Sequence, residues 1–563
     1  MKKILFTILA LVGCMAAISA QEYRILSDET TTVKAKIGDF SAGSRQVRLI
    51  VYDYPSVDGE GQPATVSGVI LIPSDIADGT VPCDGIIMYN HYTIGKPEDA
   101  PSQGGDAMTA INALVANPLK PNYIIVASDY VGYGSSASHN IAYISGDTNG
   151  RNSLDGLIAA RQLLSDEQIA QGKYLFNIGF SQGGTESMFA AKLTDTEEKY
   201  KDIRFDKTYS GGGPLDFENL YSSYVKQDKC EDLADVVMML ISVNENHHLG
   251  INYNDLFQEP VASKAIEYFT TKRKSVVSEI GVTSMDHISQ VLQPAYMDLK
   301  SDAAKSLCEK LREIGLTKDW EPDVTKNYYI EHSRHDNYVP IQCVRGIIPW
   351  MTEKGFDPSI VPGKSTLQTC TAVFKLKHQE SAIVWAIQTM AAIQFWPVLY
   401  YEGEQNRYYH EVMHDMNLMK VIKTLESWGI DLRKLINDGE LNLSKEAQAA
   451  IEASADSTAT GGPLRQPERW TWFDLIPGID DTLAKVGLTT DDLEEMCDDA
   501  GISAVDLLEA YSYIKLGIEI PSASTSAEQR TEAPLFLLRQ YEQQLAAWYL
   551  FYGFNIGYEA WGM

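Results

Sequence analysis

At 563 residues, with 44% hydrophobic and 22% charged side chains, the chain has an ordinary globular balance and enough length for two to four folding units. Its 76 acidic residues against 47 Lys and Arg give a net charge of −29, which disfavours nucleic acid and anionic membrane surfaces as partners. The seven cysteines form no Cys-x-x-Cys pair, so a zinc ribbon is not expected.

Residues 1–20 read as an export signal: basic Lys2-Lys3, an apolar run from Ile4 to Val12 too short to span a bilayer, and small residues before a cut after Ala20. Leu11-Val12-Gly13-Cys14 offers the rival reading, a lipoprotein anchored through Cys14. The polar sequence that begins at Gln21 favours the cut after Ala20, hence a secreted or periplasmic protein. No other segment is long and apolar enough to cross a membrane. Cys83, Cys230, Cys308, Cys343, Cys370 and Cys497 would remain after cleavage. Export permits disulfides among them, and buried free thiols are the alternative.

The pattern after the signal begins with strands, Gln46 to Tyr54 and Ala64 to Ile72, joined by the turn Asp58-Gly59-Glu60-Gly61-Gln62-Pro63. Strands and helices then alternate. Strand Gly85 to Asn90 precedes helix Ala107 to Ala116, and strand Tyr123 to Ser128 precedes helix Ser153 to Leu164. A strand from Tyr174 leads into a helix over Thr185 to Leu193, and another strand covers Ile203 to Tyr209. Apolar strands alternating with amphipathic helices predict an α/β fold, a mostly parallel sheet covered on both faces. From Asp216 to Asp323 the chain reads as helical, with runs Leu233 to Val243 and Ala265 to Ser275. Alternation returns at strand Asn327 to Glu331, helix Ile341 to Met351, strand Thr371 to Lys377 and helix Glu380 to Ala392. The expected organisation is a core over residues 21–214 and 323–400, a helical cap inserted at 215–322, and a helical region at 401–563.

Gly179-Phe180-Ser181-Gln182-Gly183 falls between the Tyr174 strand and the following helix. Gly-x-Ser-x-Gly alone is a weak signal in a chain with 41 glycines. A strand before it and a helix after it make it a nucleophile elbow, a turn that raises the serine hydroxyl above the sheet edge. A serine hydroxyl needs a base within hydrogen-bond reach, and the base needs an orienting carboxylate. On a parallel sheet both should follow later strands, in the order serine, acid, histidine. Asp336 follows the Asn327 strand and His378 follows the Thr371 strand. Ser181 is therefore the expected nucleophile, His378 the base and Asp336 the orienting acid. His332 and His335 compete for the base role from the acid's own loop, and Asp216 is the rival acid. The oxyanion needs donors: the N–H of Gln182 at the start of the helix, and that of Thr93 after the Gly85 strand, with Tyr92 the alternative.

In these features the chain resembles the α/β-hydrolase superfamily, and within it the secreted lipase-like esterases. The likeness spans about residues 45 to 395 and rests on Asp58–Pro73, Tyr89–Thr93, Asp129–Gly134, the elbow, Gly211–Phe217 and His335–Pro340. Two departures stand out: His91-Tyr92 where many relatives carry His-Gly, and Ser333 where many carry Gly. The resemblance implies cleavage of carboxylic esters through an acyl-enzyme, with an acyl-ester or small-molecule substrate and no metal or organic cofactor. It also implies structural roles for Asp129 and Asp216. A competing motif, His410-Glu411-Val412-Met413-His414, has zinc-protease spacing. No third histidine follows at the spacing such enzymes use, so it reads as a polar helix face.

Overall fold

The computed structural model describes residues 23–37, 40–116, 121–231, 233–273, 287–333, 336–356, 367–372 and 377–399, with residue 483 and residues 489–493. The signal, His335, the 410–414 motif and nearly all of 401–563 lie outside the described residues.

Among the described residues, nine strands form one sheet: β1 (Arg24–Ile37), β2 (Phe40–Val57), β3 (Pro63–Pro73), β4 (Gly85–Asn90), β5 (Tyr123–Ser128), β6 (Tyr174–Phe180), β7 (Lys207–Gly211), β8 (Tyr328–Ser333) and β9 (Leu367–Ala372). Their spatial order is β1-β2-β3-β5-β4-β6-β7-β8-β9. The first three strands and the β3–β5 junction are antiparallel, and every pair from β5 to β9 is parallel. The longer helices are α1 (Ala107–Ala116), α2 (Gly146–Asp166), α3 (Gln182–Thr196), α4 (Phe217–Gln227), α5 (Leu233–Asn246), α6 (Val261–Thr271), α7 (Asp302–Glu313) and α8 (His378–Leu399). No described helix is long and apolar enough to cross a membrane.

The two-residue periodicity of a strand sends alternate side chains to opposite faces. Thus Ile86 and Met88 of β4 join Leu154, Leu157 and Leu163 of α2 on one face. Ile87 and Tyr89 join Ile111 of α1 and Trp385 of α8 on the other. Both faces are apolar, as a parallel sheet requires. Between β7 and β8 the described chain forms α4 to α7, whose buried Leu220, Val237, Phe269 and Leu311 share a third cluster.

Several expected boundaries move. β1 was not foreseen: residues 24–30 are exposed, so this edge strand lacks the apolar alternation that marks the others. β7 begins at Lys207 rather than Ile203. Ile203 and Phe205 are apolar because they pack with Tyr200 beneath the preceding turn, where Ile203 N–H donates to Tyr200 O at 2.9 Å. α2 starts at Gly146, seven residues before the expected Ser153. Its glycines hid it: a Cβ on Gly146 would lie 2.1 Å from the Phe189 ring, so the helix needs glycine to pack on α3. β9 (Leu367–Ala372) pairs with Tyr328–Ser333 and begins ahead of the expected Thr371; residues 373–376 of the expected strand lie outside the described residues. α6 ends at Thr271, short of Ser275. The expected helix Ile341–Met351 is two short ones, Gln342–Arg345 and Ile347–Glu353.

Candidate active site

Three groups meet above the carboxyl ends of β6, β8 and β9. Ser181 follows the last residue of β6 with φ 58° and ψ −127°, a conformation that costs about 1–3 kcal/mol and needs support from its surroundings. That support is visible. Ser181 N–H donates to Gly211 O at 2.8 Å, and its carbonyl accepts from Gly184 N at 2.9 Å as α3 begins. A Cβ on Gly179 would lie 2.0 Å from Gly183 O, and one on Gly183 would lie 2.0 Å from Asn90 O. Each is a clash, so both flanking positions of the elbow require glycine.

Asp336 lies three residues past β8. Its Oδ1 accepts from Tyr338 N at 2.9 Å and Val339 N at 2.7 Å, which fixes the carboxylate and leaves Oδ2 for a side chain. His378 opens α8, its N–H donating to Asn337 Oδ1 at 2.9 Å. The imidazole spans the gap. Nδ1 is 2.6 Å from Asp336 Oδ2, and Nε2 is 2.9 Å from Ser181 Oγ. The side chains of Asp336 and His378 are both buried, and the rings of Phe180 and Tyr338 flank the imidazole at 5.0 and 5.4 Å. Because Asp336 can only accept when ionised, the geometry selects the Nδ1–H tautomer and leaves the Nε2 lone pair facing the serine hydroxyl.

The competitors fall elsewhere. His332 is buried, its Nε2 2.8 Å from Val339 O and 3.8 Å from Asp336 Oδ2; burial holds its imidazole below the ordinary range. It braces the acid's loop. Asp216 caps α4, its Oδ1 accepting from Asn219 N at 2.9 Å. Asp129 is buried between Ser67 Oγ at 2.6 Å and Ser102 N at 2.7 Å, and burial raises its pKa. Cys83, Cys308 and Cys343 are free thiols.

Gln182 is the first residue of α3, so its N–H has no acceptor within the helix and stands beside Ser181 at the positive end of the helix dipole. Thr93 lies in the loop beyond β4, and Gly183 packs against that loop's start at Asn90 and His91. The Thr93 Oγ1 is 3.0 Å from Tyr143 Oη.

A cavity of about 40 Å³ opens at Ser181. Gln182, Tyr143, Pro214, Tyr224, Met239 and Tyr338 are among its walls. Of these lining residues the sequence assigns a role to Ser181 and Gln182, and it places Pro214 and Tyr338 within the family-like segments Gly211–Phe217 and His335–Pro340. Tyr143, Tyr224 and Met239 carry no motif, and only packing brings them over the serine.

Glu186, one turn beyond Gln182 and fully buried, accepts from Asn149 Nδ2 at 2.9 Å and from Gln182 Nε2 at 3.3 Å. Burial pushes its carboxyl from 4.5 up to about 8. In the unfolded chain the proton leaves near the ordinary value, so folding retains a proton that the unfolded state has lost. Stability therefore falls as pH rises from about 4.5 to about 8, by an amount on the order of a few kcal/mol. Glu186→Gln should raise the urea midpoint above that of the parent at pH 8 and leave it nearly unchanged at pH 4. Equal shifts at both pH values would contradict a protonated Glu186.

No protein-family model matches the sequence, and no curated protein sequence matches it. Solved structures do. A protein from Legionella pneumophila described as a candidate hydrolase superposes with a TM-score of 0.56 at 16% identity, over 68% of this chain and 99% of that one. The rice cell wall degrading esterase LipA from Xanthomonas oryzae gives a TM-score of 0.53 at 19% identity, over 67% of this chain and 98% of that one. With the sheet order and the elbow, these likenesses identify the α/β-hydrolase fold.

Proposed function

We propose that the chain is an exported serine esterase that cleaves carboxylic esters through an acyl-enzyme. One observation carries this reading: the unbroken hydrogen-bonded line from Asp336 Oδ2 through the His378 ring to Ser181 Oγ, 2.6 Å and then 2.9 Å. The esterase described among its structural neighbours supports the ester over other acyl substrates. The leader at residues 1–20 supports export.

His378 Nε2 takes the proton of Ser181 Oγ as the oxygen attacks the ester carbonyl, and Asp336 steadies the resulting imidazolium. The carbonyl oxygen becomes an oxyanion, which accepts from the N–H of Gln182 and of Thr93. The imidazolium then protonates the leaving alcohol oxygen as the C–O bond breaks, leaving Ser181 acylated. Water enters the vacated place, its oxygen bonds to the acyl carbon and its proton passes to Nε2. The second tetrahedral intermediate collapses as the C–Oγ bond breaks and Nε2 returns the proton to Oγ, which frees the acid and restores the serine.

The test compares a p-nitrophenyl ester with a p-nitroanilide of the same acyl group, with and without EDTA. Turnover of the ester far above the anilide, insensitive to EDTA, is expected. Preferential cleavage of the anilide would make the enzyme an amidase or peptidase. Loss of turnover with EDTA would return the 410–414 motif to consideration.

A further inference from the structure

We infer that the cavity at Ser181 is an acyl pocket that admits only short acyl groups, of about two to four carbons, so the natural substrates are esters of short carboxylic acids rather than long-chain lipids. The inference rests on the serine-esterase reading and narrows it.

The argument begins with space. The cavity offers about 40 Å³ to the centres of water-sized groups. That is room for a few heavy atoms beyond the carbonyl carbon. Pockets that enclose larger ligands run to about 300–1,000 Å³.

The second step is position. The leaving oxygen must lie at His378 Nε2 to receive its proton, which places the alcohol on the histidine side of the serine. Ser181 and Gln182, which bear the attacking oxygen and the oxyanion donor, both line the cavity. The acyl chain, which stays on Ser181 when the alcohol leaves, is the substituent assigned to it.

The walls are built not to yield. Tyr143 follows β5, Leu220 and Tyr224 stand on α4, and Met239 stands on α5. Leu220 and Met239 are 3% and 2% exposed, so they are locked in the third core rather than lying on the surface. The Tyr224 hydroxyl donates to Tyr338 O at 2.6 Å, tying α4 to the loop that carries Asp336. Asp235 adds a carboxyl to the lining, a polar surface that suits a long hydrocarbon tail poorly.

The experiment measures kcat/KM for p-nitrophenyl acetate, butyrate, octanoate and palmitate, where only the acyl group changes. Acetate and butyrate should exceed octanoate by at least about tenfold, the range a few misplaced methylenes command. Met239→Ala, which removes a wall, should raise octanoate turnover relative to butyrate by about tenfold or more. Leu220→Ala, from the other helix, serves the same purpose if the first variant does not fold. Octanoate or palmitate turned over as fast as butyrate by the parent enzyme would overturn the inference. So would chain-length selection that appears only when the alcohol of an acetate ester is varied. Labelling of Ser181 by a fluorophosphonate separates the two layers. Labelling without short-acyl preference sinks the pocket alone, whereas no labelling and no ester turnover sinks the serine reading and the pocket with it.

Discussion

Ser181→Ala should lower kcat on a p-nitrophenyl ester by about 10⁶ while leaving substrate affinity nearly unchanged, because only the hydroxyl is removed and, in the proposed mechanism, its oxygen forms the covalent bond. The residual rate would come from the oxyanion donors, which the substitution does not touch: the N–H groups of Gln182 and Thr93 belong to the backbone. Fluorophosphonate labelling should vanish with the activity. The strained turn at residue 181 is held by Gly211 O and by the glycine contacts on either side, none of which involves the hydroxyl. The thermal midpoint should accordingly stay close to that of the parent. Labelling retained in the alanine variant, or a loss of activity that tracks a loss of folding, would remove Ser181 from the nucleophile's role.

Asp336→Asn should cost about 10⁴ in kcat. An asparagine keeps the Oδ1 acceptor that Tyr338 N and Val339 N use, so the loop should hold its shape. At the Oδ2 position it substitutes an NH₂ group, which donates. The imidazole then turns its lone pair at Nδ1 toward the amide and carries its proton on Nε2, where it can no longer accept from the serine. The fault is one of tautomer rather than of architecture, so kcat should collapse with the thermal midpoint nearly unmoved. A merely structural Asp336 would give the reverse pattern. A drop of less than tenfold would show that another acceptor, such as a shifted carboxylate, orients His378.

The parts of this site that follow a strand were legible in the chain. Ser181, Asp336 and His378 each sit within a few residues of a strand's carboxyl end, where a parallel sheet collects reactive groups. Their chain order, with the Gly-x-Ser-x-Gly turn, narrowed the choice to these three. The strand before His378 begins at Leu367, ahead of the expected start at Thr371, and pairs with β8. The histidine is legible all the same, because it follows the strand from either start. Glycines concealed the first turns of α2, where they serve contact with Phe189 rather than a break in the helix. The pocket walls were beyond reach for a different reason. Met239 and Tyr224 look like any buried residues of an amphipathic helix, and only the packing of α4 and α5 over the sheet assigns them to the substrate. The buried Glu186 was likewise invisible as a special group, because nothing in the spacing of a lone glutamate reveals that no water reaches it.

The serine and the imidazole that faces it are 197 positions apart. A ribosome adding roughly 5–20 residues per second completes that interval in about 10 to 40 seconds, during which the elbow has left the tunnel and its base has not yet been made. A growing polypeptide therefore carries an inert alcohol until the last core strand and the helix that bears the histidine dock, so hydrolytic power arrives only as the α/β core closes. On the export route proposed from residues 1–20, this timing keeps the proposed reactive centre disarmed on the side of the membrane where it is synthesised.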